Sequence, residues 1–337
     1  MKLNHRWRVY SLFSLILTLL LPLFAQSEGV DVSAYRGFFK ALPATVPHST
    51  GTATEAQVKL GRMLYYEKRL SKSGQISCNS CHQLNRYGVD GEPTSPGHNG
   101  VRGGRNSPTV YNAAGHISQF WDGRAADVEE QAKGPVLNPI EMAMPDAATV
   151  EQLLRSIPGY VSAFKAAFPS EGQPVTYDNF ARAVGAFERG LMTTGRFDKW
   201  ISGDESALSA TEREGLQLFV MKGCSSCHSG AYLGGHMYQK LGVVSAWPNQ
   251  KDQGRFDVTQ QESDRMMFKV PSLRNVAETG PYFHDGQTQS LSEAVQMMAK
   301  HQLGQNLSSA ETGKIVAFLK ALTGTVDANY IKEPALP

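Results

Sequence analysis

Two five-residue stretches constrain this chain more than anything else in it: Cys78-Asn79-Ser80-Cys81-His82 and Cys224-Ser225-Ser226-Cys227-His228. Between them they hold all four of its cysteines. Cys-x-x-Cys-His is the attachment signature of c-type haem. Its two thiols add to the two vinyl groups on one porphyrin edge, and the adjacent histidine comes beneath the iron as its proximal ligand. Other readings of the same residues are weaker. A zinc site would need the two pairs close in sequence, yet Cys81 and Cys224 stand 143 positions apart, far beyond finger or ribbon spacing. A thioredoxin-like pair would sit in a βαβ context, which surrounds neither stretch. Two local disulfides would leave both histidines as coincidence. The expected cofactors are therefore two haem c, bonded to Cys78 and Cys81 and to Cys224 and Cys227, with His82 and His228 on the irons.

The N-terminus reads as an export signal. Lys2, Arg6 and Arg8 precede an apolar stretch from Val9 to Leu20, and Pro22-Leu23-Phe24-Ala25 offers a cleavage site after Ala25. An uncleaved anchor is the competing reading, but soluble-looking sequence follows at once. Residues 1–25 are thus expected to be removed, leaving a periplasmic protein without stable membrane insertion. The signal holds three of the 33 Lys and Arg and none of the 31 Asp and Glu, which leaves 30 against 31, a net charge of −1. No basic run remains to suggest nucleic acid. An oxidising compartment normally turns paired cysteines into disulfides, so their confinement to haem motifs decides the class.

The surroundings of the two motifs repeat. Thr54 and Gln57 make a capping box ahead of Gly61-Arg62-Met63-Leu64-Tyr65, and Ser209 and Glu212 make another ahead of Gly215-Leu216-Gln217-Leu218-Phe219. Each reads as a capped helix feeding a loop that bears the haem motif. Ser308 and Glu311 can cap a further helix with Ile315, Phe318, Leu319 and Leu322 on one face. Strand alternation is hard to find. The fold expected is mainly α, with two cytochrome c-like domains, each with one covalent haem c. Two glycine-rich loops, residues 97–104 and 242–254, are long enough to be functional, and the first contains His98.

At this point the chain resembles the bacterial di-haem cytochrome c peroxidases. The resemblance is carried by Thr94-Ser95-Pro96-Gly97-His98, Arg105-Asn106-Ser107-Pro108-Thr109, Gln119-Phe120-Trp121-Asp122-Gly123-Arg124-Ala125-Ala126-Asp127 and Gln131-Ala132-Lys133-Gly134-Pro135. Pro271-Ser272-Leu273-Arg274-Asn275 and Pro281-Tyr282-Phe283-His284-Asp285-Gly286 extend it over nearly all of the mature chain.

The resemblance implies an N-terminal peroxidatic domain over residues 26–191, joined by the C-terminal tail 326–337. An electron-transfer domain would then span 192–325. It implies His98 as sixth ligand of the peroxidatic haem, Met298 as that of the electron-transferring haem, and Glu141 as the acid–base residue. Trp121 would lie between the haems, and Asn106 with the backbone of Thr279 and Pro281 would bind calcium. The implied substrate is hydrogen peroxide, the donor a small cytochrome c or cupredoxin, and the assembly a homodimer.

Taken without the family, these residues have blander readings. His98 is then one loop histidine of nine, Trp121 simple packing and Glu141 a solvated carboxylate. The residues alone do not choose among Met237, Met266, Met267, Met297 and Met298, although a helix capped by Ser290 and Glu293 would turn only one of the last two toward an iron. Two rival functions remain at this point. One is a di-haem oxidase like the methylamine-utilisation enzyme, whose group carries a tyrosine where this chain has Met298. The other is a non-catalytic carrier with two closed haems.

Overall fold

The computed structural model describes Met1, residues 30–49 and residues 51–337. The expected export signal in residues 1–25 lies, apart from Met1, outside them. The first half contains α1 (Glu55–Tyr66), α2 (Cys78–Cys81), α3 (Val128–Leu137), α4 (Ala147–Arg155), α5 (Pro158–Ala167) and α6 (Tyr177–Glu188). The second contains α7 (Arg196–Ile201), α8 (Ala210–Met221), α9 (Phe256–Thr259), α10 (Leu291–Leu303) and α11 (Ser309–Ala321). Among the described residues only two short strands form, β1 (Tyr238–Lys240) and β2 (Met267–Lys269), paired antiparallel with Gln239 opposite Phe268. Long loops join these elements, and the chain is mainly helical, as expected.

The three capping boxes read from the sequence all form. Thr54 caps α1, Ser209 caps α8 and Ser308 caps α11, each accepting from the backbone N–H three residues on while that residue's side chain accepts in return. Such reciprocal bonds satisfy amide groups that a helix start otherwise leaves unpaired. One glycine then decides how each half packs. A Cβ on Gly61 would lie 1.8 Å from the carbonyl oxygen of Ala183, and one on Gly215 would lie 2.0 Å from that of Lys314. So α1 crosses α6, and α8 crosses α11, at a separation that only glycine permits. Next to each crossing an aromatic pair closes the core: Tyr65 against Phe187 with centroids 5.4 Å apart, and Phe219 against Phe318 at 5.2 Å.

Two apolar cores result. Leu60, Leu64, Phe164, Phe180, Val184 and Phe187 are fully buried in the first; Phe197, Trp200, Leu216, Ile315 and Phe318 are buried in the second. Both chain ends cross between them. Val32 and Phe39 pack into the second core, whereas Ile331 is buried in the first, where Tyr66 donates to its carbonyl at 2.5 Å. A third cluster of Trp247, Met266 and Phe268 gathers Trp121 from the first half and Met298 from the second. Among the described residues no helix is long and apolar enough to cross a membrane.

Candidate functional site

The second motif follows α8 as a short turn, Cys224–Ser226, entered through Gly223 in a left-handed conformation. His228 donates from Nδ1 to the carbonyl of Leu233 at 3.0 Å. A histidine oriented this way offers Nε2 as its free lone pair, the arrangement that presents imidazole to a metal. Burial pushes its pKa down to about 4, which favours the neutral imidazole. The cavity above it is lined chiefly by carbon, and Cys224, Cys227, Met298, Leu291 and Phe268 form part of its wall. Met298 lines this cavity and Met297 does not; Met297 instead accepts a bond from the Thr288 hydroxyl at 3.4 Å. The helix capped by Ser290 thus separates the two methionines as its periodicity requires.

The first motif forms α2, where Ser77 and Ser80 cap one another and Asn79 accepts from the Leu84 amide at 3.0 Å. Tyr65 from α1 donates to the carbonyl of His82 at 2.7 Å, and burial pushes the His82 imidazole below its usual range. The His98 loop meets Glu141 across a tight backbone contact: the His98 amide donates to the carbonyls of Ile140 and Glu141, each at 2.8 Å. Gly97 makes this possible, because a Cβ there would lie 2.0 Å from the Ile140 carbonyl oxygen. Of the four loop glycines, only Gly100 has a positive φ, +74°.

Glu141 is raised above the usual carboxylate range, chiefly by burial, with Arg124 and the Asn138 amide pulling the other way. Asn138 donates to Glu141 Oε1 at 3.0 Å. The carboxylate in turn contributes to raising both Cys78 and Cys81, although burial is the larger cause, with Cys81 pushed up to about 11. The structure therefore brings Glu141, the His98 loop and the first motif together.

Between the halves, Trp121 donates from Nε1 to the carbonyl of Asn106 at 2.9 Å and stands edge-on to His284 at 6.4 Å. The Asn106 amide donates to the His284 carbonyl at 2.7 Å, and its Nδ2 donates to the Glu92 carbonyl at 3.0 Å, leaving Oδ1 available. Asn106, Thr279 and Pro281 all line the cavity of the second motif.

These residues fit haem. All four cysteines are free thiols. Two half-buried histidines whose pKa is lowered stand beside them, and the second-motif cavity is apolar with a methionine in its wall. The buried ring nitrogens of His116, both of them, and Nε2 of His284 have no hydrogen-bond partner among the described residues, and both side chains line the same cavity. Unpaired buried donors of this kind suit a group that carries acceptor oxygens. Zinc fits poorly: among the described residues the one cluster of three His, Cys, Asp or Glu side chains close enough to share an ion is His48, Asp127 and Glu129, which contains no cysteine. Glu129 there is already bound by Arg189 through both oxygens, at 2.7 Å each.

Sequence reasoning missed Asn138, Arg124, His116, Lys269 and His284 as members of these surroundings. Arg124 and His284 stood inside the stretches that carried the family resemblance. Asn138, three residues before Glu141, had a readable turn spacing, whereas nothing in the pattern marked His116 or Lys269.

Comparison with known proteins agrees with this geometry. Residues 55–206 match the family model described as di-haem cytochrome c peroxidase, and residues 212–323 match that of cytochrome c. The cytochrome c551 peroxidase of Pseudomonas aeruginosa is 45% identical, covering 96% of this chain and 94% of its own. That of Nitrosomonas europaea is 44% identical, covering 94% and 92%. Among solved structures, a MauG-like protein associated with microbial copper homeostasis superposes with a TM-score of 0.78 at 27% identity, covering 88% of this chain and 97% of its own.

Proposed function

Because the chain belongs to the di-haem cytochrome c peroxidase family, we propose that it reduces hydrogen peroxide to water in the periplasm, drawing electrons from a small cytochrome c or cupredoxin. It is a cytochrome-c peroxidase with two haem c, one for each cytochrome c-type domain. We divide it into a peroxidatic domain over 26–191 with the tail 326–337, and an electron-transfer domain over 192–325, after a signal at 1–25. In our reading, Cys78, Cys81 and His82 hold the first haem, with His98 as its displaceable sixth ligand. Cys224, Cys227, His228 and Met298 hold the second.

When bound, the haems supply the redox chemistry: the first is where peroxide reacts, and the second, at higher potential through methionine ligation, accepts electrons from the donor. The protein's own part is to move a proton. Glu141 takes one from one peroxide oxygen and returns it to the other, so that water is the leaving group. Its burial suits that work, since a raised pKa lets it give the proton back as well as take it. Asn138 holds one carboxylate oxygen, which leaves the other to face the substrate. Trp121, which lines the second-motif cavity, is in our reading the electron carrier between the two haems.

Asn106 Oδ1 with the carbonyls of Thr279 and Pro281 offers neutral oxygen donors of the kind calcium accepts, with water completing its shell. The working form in this reading is a homodimer. A tryptophan-modifying oxidase is disfavoured by Met298, since a tyrosine would be expected there. A closed electron carrier would have no use for a half-buried carboxylate with a raised pKa beside the first motif.

The observation that carries the proposal is Glu141, a half-buried carboxylate whose backbone is bonded to the His98 loop and whose charge acts on both cysteines of the first motif. Glu141→Gln should leave haem content and both spectra intact while peroxide turnover falls by about 10²–10⁴-fold. Steady-state oxidation of reduced cytochrome c by peroxide measures this. Near-normal turnover in the fully loaded variant would overturn it.

A further inference from the structure

The wall of the second-motif cavity contains a cation that no carboxylate bonds among the described residues. Lys269 on β2 is only 8% exposed, and its Nζ donates to one neutral group, the Ser118 carbonyl, at 2.7 Å. No carboxylate pairs with it among the described residues. The neighbouring Asp122 is engaged elsewhere, by Arg105 at 2.5 Å and Arg124 at 2.9 Å. Burial accordingly pulls the Lys269 pKa down to about 8, with the charge of Asp122 pulling only partly the other way. An ammonium removed from water without a counter-charge is costly, and proteins rarely leave one so.

His116 stands near it, close enough for Lys269 to help hold the imidazole neutral, although burial is the main cause. Its ring lies edge-on to Tyr232 at 5.4 Å and packs over Gly235, where a Cβ would lie 2.4 Å from Cδ2. The ring is thus fixed in place, yet both of its nitrogens lack partners. Lys269 and His116 line the same cavity as Cys224, Cys227, His228 and Met298. A fixed neutral donor and an unpaired buried cation on one wall form a site for a carboxylate.

We propose that Lys269 and His116 anchor a propionate of the haem bonded to Cys224 and Cys227. The proposal rests on placing that haem in this cavity. The covalent bonds use the vinyl edge of the porphyrin, and the propionates leave from the opposite edge, so the anchor fixes the end that the cysteines do not. Lys269 makes a charge-assisted bond to the carboxylate while keeping its bond to Ser118. A cation held there also favours the reduced haem, which carries one positive charge fewer. Lys269 therefore helps to keep the second haem the better electron acceptor, beyond what methionine ligation supplies. Since Ser118 lies three residues before Trp121, the same side chain ties the haem edge to the segment that joins the two sites.

The test uses the mature two-haem protein. Intact mass first establishes that both haems are attached, so a negative result counts against the anchor and not against the haem assignment. Lys269→Met removes the charge and the donor; Lys269→Gln removes the charge and keeps an N–H for Ser118. In both, spectroelectrochemical titration should show the midpoint of the methionine-ligated haem shifted down, with the first haem unmoved. Resonance Raman should show shifted propionate bending bands. His116→Phe keeps the ring volume and should shift the same bands. If Lys269→Met and Lys269→Gln leave midpoint and bands at wild-type values, Lys269 merely fastens Ser118 and the proposal fails. Should neither lysine variant mature, His116→Phe decides alone: shifted bands support the anchor and unchanged bands overturn it.

Discussion

Met297 and Met298 are neighbours in sequence with similar partial burial, yet only one of them faces the second cysteine motif. The difference comes from α10, where consecutive residues point about 100° apart. The turn that puts Met298 in the cavity puts Met297 against Thr288. Met298→Leu should therefore abolish the methionine-to-iron signature of the second haem and lower its potential, while Met297→Leu should do neither. A near-infrared absorption spectrum with a redox titration reads both, and loss of the signature in the second variant alone would move the ligand by one residue. Much at this scale was legible beforehand. The cysteines and proximal histidines follow from spacing, because the reaction with two vinyl groups dictates that spacing. Lys269 and His116 were not legible, because a buried lysine and a surface lysine look alike in a sequence. Their meaning comes from what the fold leaves unpaired around them.

At the scale of elements, the helix starts were readable because capping is a local matter of four residues. The crossings were not, because Gly61 and Gly215 matter only through partners 122 and 99 positions away, Ala183 and Lys314. Gly61→Ala or Gly215→Ala would press a methyl group into a backbone carbonyl, which cannot rotate aside. Each should lower the stability of the holoprotein by about 1–3 kcal/mol, the usual cost of overpacking, seen as a fall in its thermal midpoint. An unchanged midpoint would mean that the crossings are looser than described. The His98 loop is held less evenly. Gly97 is pinned against Ile140, whereas Gly103 and Gly104 have open space where a Cβ would stand. The hypothesis that His98 caps the first haem until the second is reduced therefore confines the motion to residues beyond Gly97, with Gly100 as its pivot. His98→Gly should give a first haem that is high-spin when oxidised and binds peroxide without prior reduction. By EPR the wild type should stay low-spin there until one electron is added; a wild type already high-spin when oxidised would remove the gate and leave the peroxidase intact.

Across the whole molecule, the two cores are laced together. Val32 and Phe39 cross to the second core and the tail returns to the first. A buried polar chain joins them, with Thr193 Oγ1 accepting from Asn112 at 2.9 Å and from Asn275 at 2.8 Å. Bonds of this sort fix one relative placement, since shifting the halves would leave buried amides unpaired. In the proposed mechanism that rigidity serves a reaction that draws on two sites at once. Asn106, Trp121 and His284 stand at the same junction, so a cation at the proposed Asn106 site would brace the placement of Trp121 directly. Cooperation of both haems in one peroxide reduction is open to a stoichiometric titration. Protein carrying one electron, on the second haem, is mixed anaerobically with a single equivalent of peroxide and followed by stopped-flow absorption. The account predicts that the reduced second haem is lost one-for-one with peroxide, and that two equivalents of reduced cytochrome c then restore the starting state. A second haem that stays reduced while peroxide persists would contradict it and leave a two-haem electron carrier.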